Sequence, residues 1–266
     1  MKFISCDLLG PGDGKANFGL CNQMFQVAAL YSHAKDFNLN ITFPQIKLPS
    51  YGGYDKNIFS RINTEDIDQS TFLYLELPFG YHKLVSQDGI TYRGYMQSEK
   101  YFSHNRSFIL DLFAPTVEIG SYIKSKYKNI LESNSLSIHI RRGDYVNLPD
   151  YHPLIGVEYY TEAANHITSK VPIDSYVIFS DDIEYCKKLF GDAKEITYII
   201  GEEDYIDLYL MSFCKHNIIT NSTFSWWGAW LNQNPDKIVV APKQWFGPAK
   251  STLDTRDLIP ETWIKL

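Results

Sequence analysis

A histidine, two arginines and an aspartate lie close together at the end of an apolar run, in the stretch SIHIRRGDYVN at 137–147. Side chains alternate along a strand, so His139 and Arg141 share one face while the isoleucines between and beside them share the other. Two arginines beside a Gly-Asp turn suit a phosphate group, which planar guanidinium donors bind at two points. The alternative is a local ion pair between Arg142 and Asp144 that only closes the loop.

A second candidate anion site follows the apolar run at 216–220, where Asn-Ser-Thr leads into an aromatic helical pattern. Ser and Thr are strong N-cap residues, and the amides of a first helical turn attract anions. The candidates are Asn221, Ser222, Thr223, Phe224 and Ser225. A diphosphate between this helix start and the arginines is one interpretation, and simple capping is a compatible one. The tryptophans at 226, 227 and 230 are expected to pack the helix against a sheet.

Further polar groups stand after the strand pattern at 175–180, within one helical pattern, and at the start of another. Ser180 and Asp181 end that strand pattern, Asp207 lies within the helical pattern at 204–215, and Asn22 and Gln23 lie at the start of the helical pattern at 19–37. Asn22 and Gln23 could reach a substrate from there. Asp182 begins a helical pattern and could be an N-cap alone. A carboxylate on a helix, such as Asp207, is more often solvated than functional; its alternative role is to accept the N–H groups of guanine.

The elements that must position these residues alternate in the second half of the chain. Short β-branched runs predict strands at 135–140, 175–180, 196–200, 216–220 and 237–241, separated by helical patterns such as 158–169 and 204–215. Such alternation predicts an α/β fold with a parallel sheet covered by helices. Ligands of such sheets bind outside the carboxyl ends of the strands, where the polar groups stand.

The first half begins in the same way and then becomes irregular. A strand is predicted at 3–9, a helix at 19–37, a strand at 40–43, and later a strand at 90–96 and a helix at 99–113. Residues 44–92 are rich in Pro, Gly, Asp and Tyr, including the loop-like PSYGGYDKN, and resist assignment. The polar stretch at 124–134 is the best boundary, which predicts domains at 1–130 and 131–266.

Composition excludes several classes of protein. The 266 residues are 44% hydrophobic with a formal net charge of −6, which suits a core-forming globular protein and argues against a general nucleic-acid or anionic-membrane surface. No stretch has the length of an apolar membrane span or the form of a signal peptide, and the four scattered cysteines suggest neither a zinc site nor a disulfide framework. We therefore expect a cytoplasmic protein, free or at the periphery of the inner membrane.

Taken in chain order, these motifs resemble the α-1,2-fucosyltransferases, inverting enzymes that move fucose from GDP-fucose to a galactoside. The matching stretches are FGLCNQMFQVA (18–28), GYMQSEKYF (94–102), HIRRGDYV (139–146), FSDD (179–182), LMSFCKHNIITNSTFSWWGAWLN (210–232) and APKQWF (241–246). The resemblance implies two Rossmann-like halves facing across a cleft, of the GT-B type. It implies that the carboxy-terminal half binds GDP-fucose, that the amino-terminal half lies on the side of a galactose-terminated glycan acceptor, and that no metal is required.

The resemblance also implies roles for single residues. His139 and Asp207 would contact guanine, and residues 222–225 would line the diphosphate and the fucose. Arg141 is our choice for stabilising the charge that grows on the leaving diphosphate, with Arg142 either assisting it or holding Asp144.

The general base and the metal question rest on single carboxylates and one histidine. Asp144 ranks first as the base that takes the acceptor proton, ahead of Asp150, His152 and Asp181. The Asp-x-Asp at 66–68 has no apolar strand before it, so we interpret it as a solvated helix start rather than a metal site.

Two departures from the family pattern concern the acceptor side. Cys21 stands where glycine is usual, so the turn before Asn22 must avoid a positive φ or tolerate its cost, and Val27 stands where tyrosine is usual. Two alternatives stay open beside α-1,2-fucosyl transfer. One is transfer of another GDP-deoxysugar, or formation of another linkage, on the same fold. The other is a non-catalytic module that binds GDP-sugars or carbohydrate.

Overall fold

The computed structural model describes residues 2–8, 19–47 and 53–266. The chain divides into two compact units. The first unit comprises Met1–Thr116 with Leu253–Pro260, and the second comprises Val117–Thr252 with Glu261–Leu266. The predicted boundary after residue 130 differs from this division, because the polar stretch at 124–134 is helical and belongs to the second unit.

The first unit is built on a four-stranded sheet in the order β2-β1-β4-β3, in which every described pairing is parallel. Its strands are β1 (Phe3–Cys6), β2 (Asn40–Ile41), β3 (Leu73–Glu76) and β4 (Ile90–Arg93), and its helices are α1 (Leu20–Phe37) and α2 (Arg106–Leu112). Helix α1 is buried along most of its length, with Met24, Phe25 and Ala28 fully inaccessible, so it forms the centre of this unit's core.

The second unit is built on a six-stranded parallel sheet in the order β10-β9-β8-β5-β6-β7. The strands are β5 (Ser135–Ile140), β6 (Ser175–Ser180), β7 (Ile196–Tyr198), β8 (His216–Ile218), β9 (Val239–Ala241) and β10 (Ile264–Lys265). The helices are α3 (Val117–Lys126), α4 (Lys128–Glu132), α5 (Val157–Thr168), α6 (Ile183–Phe190), α7 (Asp204–Phe213) and α8 (Thr223–Leu231). The order is that of a doubly wound Rossmann sheet, which runs outward in both directions from its first strand.

The two faces of β5 have different surroundings, as alternation predicts. Leu136, Ile138 and Ile140 belong to a buried apolar cluster with residues of α5 and α6, while Ser137 and His139 point to the other face. There the Asn217 amide donates to Ser137 Oγ at 2.7 Å and to the Met211 carbonyl at 2.9 Å, which ties the sheet to α7.

Helix α8 lies beside α7, and all three of its tryptophans are buried, which confirms the packing role predicted for them. A Cβ added at Gly228 would lie 2.9 Å from the Met211 Cβ, so glycine permits the close approach of α8 to α7.

Several other sequence-based predictions differ from the structure in detail. The predicted helix at 99–113 is two short 3-10 turns followed by α2, and Asp68 does not start a helix but accepts a hydrogen bond from the Ser70 amide in a turn. The predicted strand at 3–9 ends at Cys6. Three parts of the predictions lie outside the described residues: Leu9, Phe18 of the first family motif, and the PSYG portion of the 49–57 loop.

Candidate active site

The polar residues that follow β5, β6 and β8 lie at one edge of the second unit's sheet. Because these strands are parallel neighbours, their carboxyl ends meet at this edge, here called the carboxyl edge. From β5 the chain runs outward through β6 to β7 and then crosses back to β8 on the other side of β5, so a crevice is expected between the ends of β5 and β8. Arg141 stands at the first of these ends and the start of α8 follows the second.

Arg141 is held between two carboxylates. Its Nη2 lies 2.6 Å from Asp144 Oδ1 and its Nη1 lies 3.0 Å from Asp181 Oδ2, while the guanidinium carbon sits 5.6 Å from the Tyr145 ring centre. Burial alone would lower the pKa of Arg141, but the charges of Asp181 and Asp144 raise it overall. About a third of the side chain is exposed, 38%, so the guanidinium is fixed in direction and still open to a ligand.

Arg142 belongs to a different group of residues. Its Nε donates to Asp182 Oδ2 at 2.9 Å, and its guanidinium lies 3.7 Å from the Tyr185 ring centre. Asp182 also accepts the Tyr185 amide at 3.1 Å, which confirms its predicted N-cap role, and hydrogen bonding to Arg142 lowers its pKa. Of the two roles left open for Arg142, the pairing with Asp144 is not formed, because the turn directs Asp144 to Arg141 instead.

Gly143 is required by the approach of Asp181 to this turn. A Cβ at Gly143 would lie 2.4 Å from Asp181 Oδ2, the oxygen that pairs with Arg141. The other oxygen of Asp181 accepts the Arg142 backbone amide at 2.8 Å. One carboxylate thus fixes both the backbone and the first arginine of the motif, and a Cβ at position 143 would force that carboxylate to move.

His139 is buried and neutral. Its ring lies inside the protein near the carboxyl edge, and the centre of the ring is 5.6 Å from the centre of the Phe224 ring. Burial, aided by the charge of Arg141, lowers the pKa of His139 to about 3. Within the described part of the chain its Nδ1 has no hydrogen-bond partner. A buried ring nitrogen of this kind is available to a ligand that reaches the pocket.

The start of α8 separates into residues that face outward and residues that hold the structure. Ser222 is the N-cap, with its Oγ accepting the Phe224 amide at 3.3 Å, and Thr223 and Phe224 are partly exposed. Ser225 is buried and bonded to the Ser222 carbonyl, so it differs from its predicted role in lining the donor. Asn221 also differs, because its amide is occupied within the protein.

That internal use of Asn221 joins three loops at the carboxyl edge. Its Nδ2 donates to the carbonyls of Pro153, at 3.0 Å, and Trp245, at 3.2 Å, and its own carbonyl accepts the Tyr145 hydroxyl at 3.2 Å. Asn221 therefore positions the loops after β5 and β9 around the start of α8 rather than meeting a ligand.

Asp207 lies in the first turn of α7, half-buried, and its Oδ1 has no hydrogen-bond partner among the residues the structure describes. Burial, followed by the charges of Glu202 and Asp204, raises its pKa to about 7. Glu202 is itself fixed: its carboxylate accepts the hydroxyls of Tyr122 and Tyr127, at 3.0 and 2.6 Å, and pairs with Lys126. Sequence reasoning missed this cluster because its members lie about 75 positions apart.

The four candidates for the general base have different surroundings. Asp144 and Asp181 both pair with Arg141, and Asp150 is exposed. His152 Nε2 faces Lys250 Nζ at 2.9 Å, and its ring stacks on Tyr145 with centres 4.5 Å apart. Burial and then the charge of Lys250 lower the pKa of His152 to about 4, and a cation already occupies the nitrogen that would receive a proton.

The first unit places its own predicted residues at the start of α1. Asn22 is partly exposed and accepts a hydrogen bond from Gln97 Nε2 at 2.9 Å, whereas Gln23 is fully buried, which differs from its predicted reach toward substrate. Cys21 is buried within the helix without positive φ, since the turn ends at Gly19, so replacing the usual glycine there brings no backbone strain.

The described ranges hold neither a cluster of metal-ligating residues nor a membrane-spanning helix. Residues 2–8, 19–47 and 53–266 contain no group of three or more His, Cys, Asp or Glu residues placed to hold a metal ion. Over the same ranges, no helix has the length and apolar character needed to cross a membrane.

Comparison with solved structures confirms the predicted fold class, an α/β protein of two Rossmann-like halves of the GT-B type. The fucosyltransferase NodZ from Bradyrhizobium, co-crystallised with GDP, matches with a TM-score of 0.53 at 12% identity over 86% of this chain and 91% of its own. POFUT1 in complex with GDP-fucose matches with a TM-score of 0.53 at 11% identity over 90% and 98% of the two chains. At such low identity these likenesses show the fold alone.

Sequence relatives identify the family. An α-1,2-colitosyltransferase of Escherichia coli is 30% identical over 93% of this chain and 96% of its own length. The O-antigen biosynthesis glycosyltransferase WbnK of Escherichia coli is 35% identical over 69% and 63%, and a galactoside 2-α-L-fucosyltransferase of Caenorhabditis elegans is 29% identical over 94% and 77%. The family model described as glycosyl transferase family 11 matches residues 13–266, and the chain belongs to that family.

Proposed function

We propose that the protein is an inverting α-1,2-fucosyltransferase that moves L-fucose from GDP-fucose to the 2-hydroxyl of a terminal galactose on a glycan, without a metal ion. The observation that carries the proposal is the arrangement at the second unit's carboxyl edge. An arginine fixed by two carboxylates, a neutral buried histidine and the start of an aromatic helix lie together there. Membership of glycosyl transferase family 11 supports the same reaction class.

Arg141 is the group proposed to stabilise the leaving diphosphate. In this displacement the acceptor oxygen forms a bond to the anomeric carbon as the bond from that carbon to the diphosphate oxygen breaks, so negative charge grows on GDP. A guanidinium already oriented by Asp144 and Asp181 meets that charge without reorganisation. The outward-facing start of α8, at Thr223 and Phe224, adds the field of a helix N-terminus.

His139 and Asp207 are proposed to recognise guanine. A carboxylate suits the adjacent N–H groups of guanine, and the unpartnered Oδ1 of Asp207 is such an acceptor. The neutral ring of His139 offers a hydrogen bond without placing a second charge beside Arg141. Both groups are buried enough for a lost hydrogen bond to weaken binding strongly.

Asp144 is the proposed base, and it pairs first with Arg141 and then with the acceptor hydroxyl. As negative charge grows on the diphosphate, it competes with Asp144 for the Arg141 guanidinium, and the Asp144 carboxylate becomes free to take the proton that leaves the acceptor hydroxyl. Asp181 keeps its bond to the Arg142 amide and therefore stays in place as the permanent partner of Arg141.

Colitosyl transfer is the second candidate, because an α-1,2-colitosyltransferase matches this chain over nearly the full length of both. Colitose is fucose without its 3-hydroxyl, so the choice depends on whether the site binds that hydroxyl. A site built to hydrogen-bond a hydroxyl rejects the analogue without it strongly, whereas an apolar pocket separates the two only weakly.

One set of incubations tests both candidates. The purified protein is given GDP-fucose or GDP-colitose with a panel of β-galactosides in the presence of EDTA, and the linkage of each product is determined. Fucose on the 2-hydroxyl of galactose supports the proposal, and faster transfer from GDP-colitose supports the second candidate. A preference for UDP-sugars, or turnover that EDTA abolishes and a divalent ion restores, contradicts the proposal. Binding of GDP-fucose without turnover would indicate a binding module.

A further inference from the structure

The segment after β4 carries the motif GYMQSEKYF, to which the proposed reaction assigns no residue. Gln97, at its centre, is 5% exposed, and its Nε2 donates to Asn22 Oδ1 at 2.9 Å. Asn22 lies in the first turn of α1, which follows β1, and β1 pairs in parallel with β4. Both residues therefore lie at the carboxyl edge of the first unit's sheet.

The hydrogen bond from Gln97 determines which end of the Asn22 amide is available. An amide side chain has one accepting end and one donating end, and Gln97 occupies the accepting end. The donating Nδ2 lies on the Gly19 side, 3.6 Å from where a Cβ on Gly19 would be, and Asn22 is partly exposed. Asn22 thus presents an N–H donor at this edge, and the hydrogen bond from Gln97 sets the orientation of that donor.

Gln97 is itself fixed by its two neighbours in sequence. Met96 is buried with φ 51°, a left-handed conformation that is uncommon for a residue other than glycine, and its carbonyl accepts the Ser98 amide at 2.8 Å. Ser98 is fully buried and caps the following turn through its Oγ. Such a backbone conformation persists where the surroundings hold it, often at functional sites.

Stability alone does not account for glutamine at this position. The Oε1 of Gln97 is buried and has no hydrogen-bond partner in the ranges that the structure describes. A buried acceptor without a partner lowers stability, and an apolar side chain of the same length would avoid that cost. What glutamine provides, and methionine would not, is the N–H that orients Asn22.

We propose that Gln97 is a positioning residue, which fixes the Asn22 amide so that Nδ2 donates a hydrogen bond to a sugar hydroxyl of the substrate. The inference rests on the proposed function and adds a specific contact to it. The hydroxyl belongs to the acceptor galactose or to the fucosyl group, two sources of the same chemistry that steady-state kinetics separates.

The test first compares three variants with the unmodified protein in the transferase assay. Gln97→Met keeps the volume and removes the donor, so the Asn22 amide can turn, and kcat/KM should fall about 10-fold. Gln97→Glu should have a larger effect, because a carboxylate accepts from Asn22 Nδ2 and turns Oδ1 outward. Gln26→Met is the matched control: Gln26 is also a buried glutamine, but its Nε2 donates to the Gly94 carbonyl at 2.9 Å. This substitution also removes a buried glutamine N–H, but one that is bonded to Gly94 rather than to Asn22, so kcat/KM should change less than about 2-fold.

A double-mutant cycle with Asn22→Ala separates positioning from a structural role. If Gln97 acts through Asn22, then Gln97→Met has no further effect on kcat/KM once Asn22 is alanine. A rise in the KM of the acceptor assigns the hydroxyl to galactose, and a rise in the KM of GDP-fucose assigns it to the donor. Full effects in both backgrounds, or normal kinetics of Gln97→Met, would overturn the inference. Failure of the unmodified protein to transfer any sugar would instead contradict the proposed function.

Discussion

In the second unit the carboxyl edge of the sheet carries the charged group centred on Arg141, whereas in the first unit the same edge carries, beside the ion pairs of Arg93 with Asp7 and Glu76, a bonded pair of neutral amides. The charged edge contains Arg141 with its two carboxylates, and it also contains Asp207, whose pKa is raised to about 7. The bonded pair of Gln97 and Asn22 represents the amide edge. Both edges follow from parallel strands that end together, so their difference lies in the side chains rather than in the architecture.

The difference teaches which partner each edge suits. A diphosphate is bound well by a guanidinium and by helix amides, and carboxylates beside the arginine keep it oriented until the anion arrives. Sugar hydroxyls are neutral and need donors and acceptors at fixed positions, which oriented amides supply without the desolvation cost of a charge.

The largest expected effect comes from Arg141, the centre of the charged edge. Arg141→Lys keeps the charge but loses the fork that spans Asp144 and Asp181, and kcat/KM should fall about 100-fold or more. Arg142→Lys is the matched control. Arg142 pairs with Asp182 and lies over the Tyr185 ring rather than at Arg141's position, so kcat/KM of this variant should fall less than about 10-fold. Equal losses, measured with saturating acceptor, would show that the two arginines do not have different roles.

A smaller effect is expected when the turn that positions Arg141 is crowded. In Gly143→Ala the new Cβ would displace Asp181 from Arg141, and kcat/KM should fall about 10-fold with little change in Tm. The control is Gly120→Ala in α3, where a Cβ meets nothing within 4 Å and activity should be retained. An active Gly143→Ala protein would mean that the Asp181 contact is dispensable.

The charged edge should also respond to pH through Asp207. With its pKa raised to about 7, this carboxyl is protonated below neutrality and accepts N–H groups only above it. The affinity for GDP-fucose should therefore fall up to about 10-fold per unit as the pH drops below 7. Calorimetric titration between pH 8 and 5.5 measures this, and GDP-fucose avoids the terminal phosphate of GDP, which titrates in the same range.

Asp207→Asn provides the control for the pH profile, because its affinity should be weak and independent of pH. A raised pKa means that Asp207 favours folding when protonated, an advantage that is lost as the pH rises through about 7. The variant should consequently have a higher Tm than the unmodified protein at pH 8. A flat wild-type binding profile would remove Asp207 from the guanine site.

The smallest effect separates the two edges by ionic strength. Raising salt from 0.05 to 0.5 M screens the partly exposed Arg141, so the Kd of GDP-fucose should rise about 3-fold. The KM of a neutral galactoside should stay constant, since amide hydrogen bonds are not screened. Equal salt dependence of both constants would contradict the contrast between a charged and an amide edge.

Strands and their faces were readily predicted from the sequence, whereas pairings within the turns were not. The strands at 135–140 and 175–180 match the structure residue for residue, because burial imposes alternation and turn residues mark their ends. The pairing of Arg141 with Asp144 and Asp181 depends on how the 3-10 turn at 143–147 winds and on where β6 ends. Neither follows from the local pattern, so the sequence left the partners of both arginines open.

By itself the sequence determined the α/β class, the alternating faces of the strand at 135–140, and the family motifs, since these depend on residue type and local spacing. Tertiary structure decided which groups meet: Asp181 on Arg141, Glu202 near Asp207, Asn221 as a joint between loops, and Gln97 on Asn22. The physical reason is that hydrogen bonds and ion pairs act over a few ångströms, whereas these partners lie up to 75 positions apart in the chain.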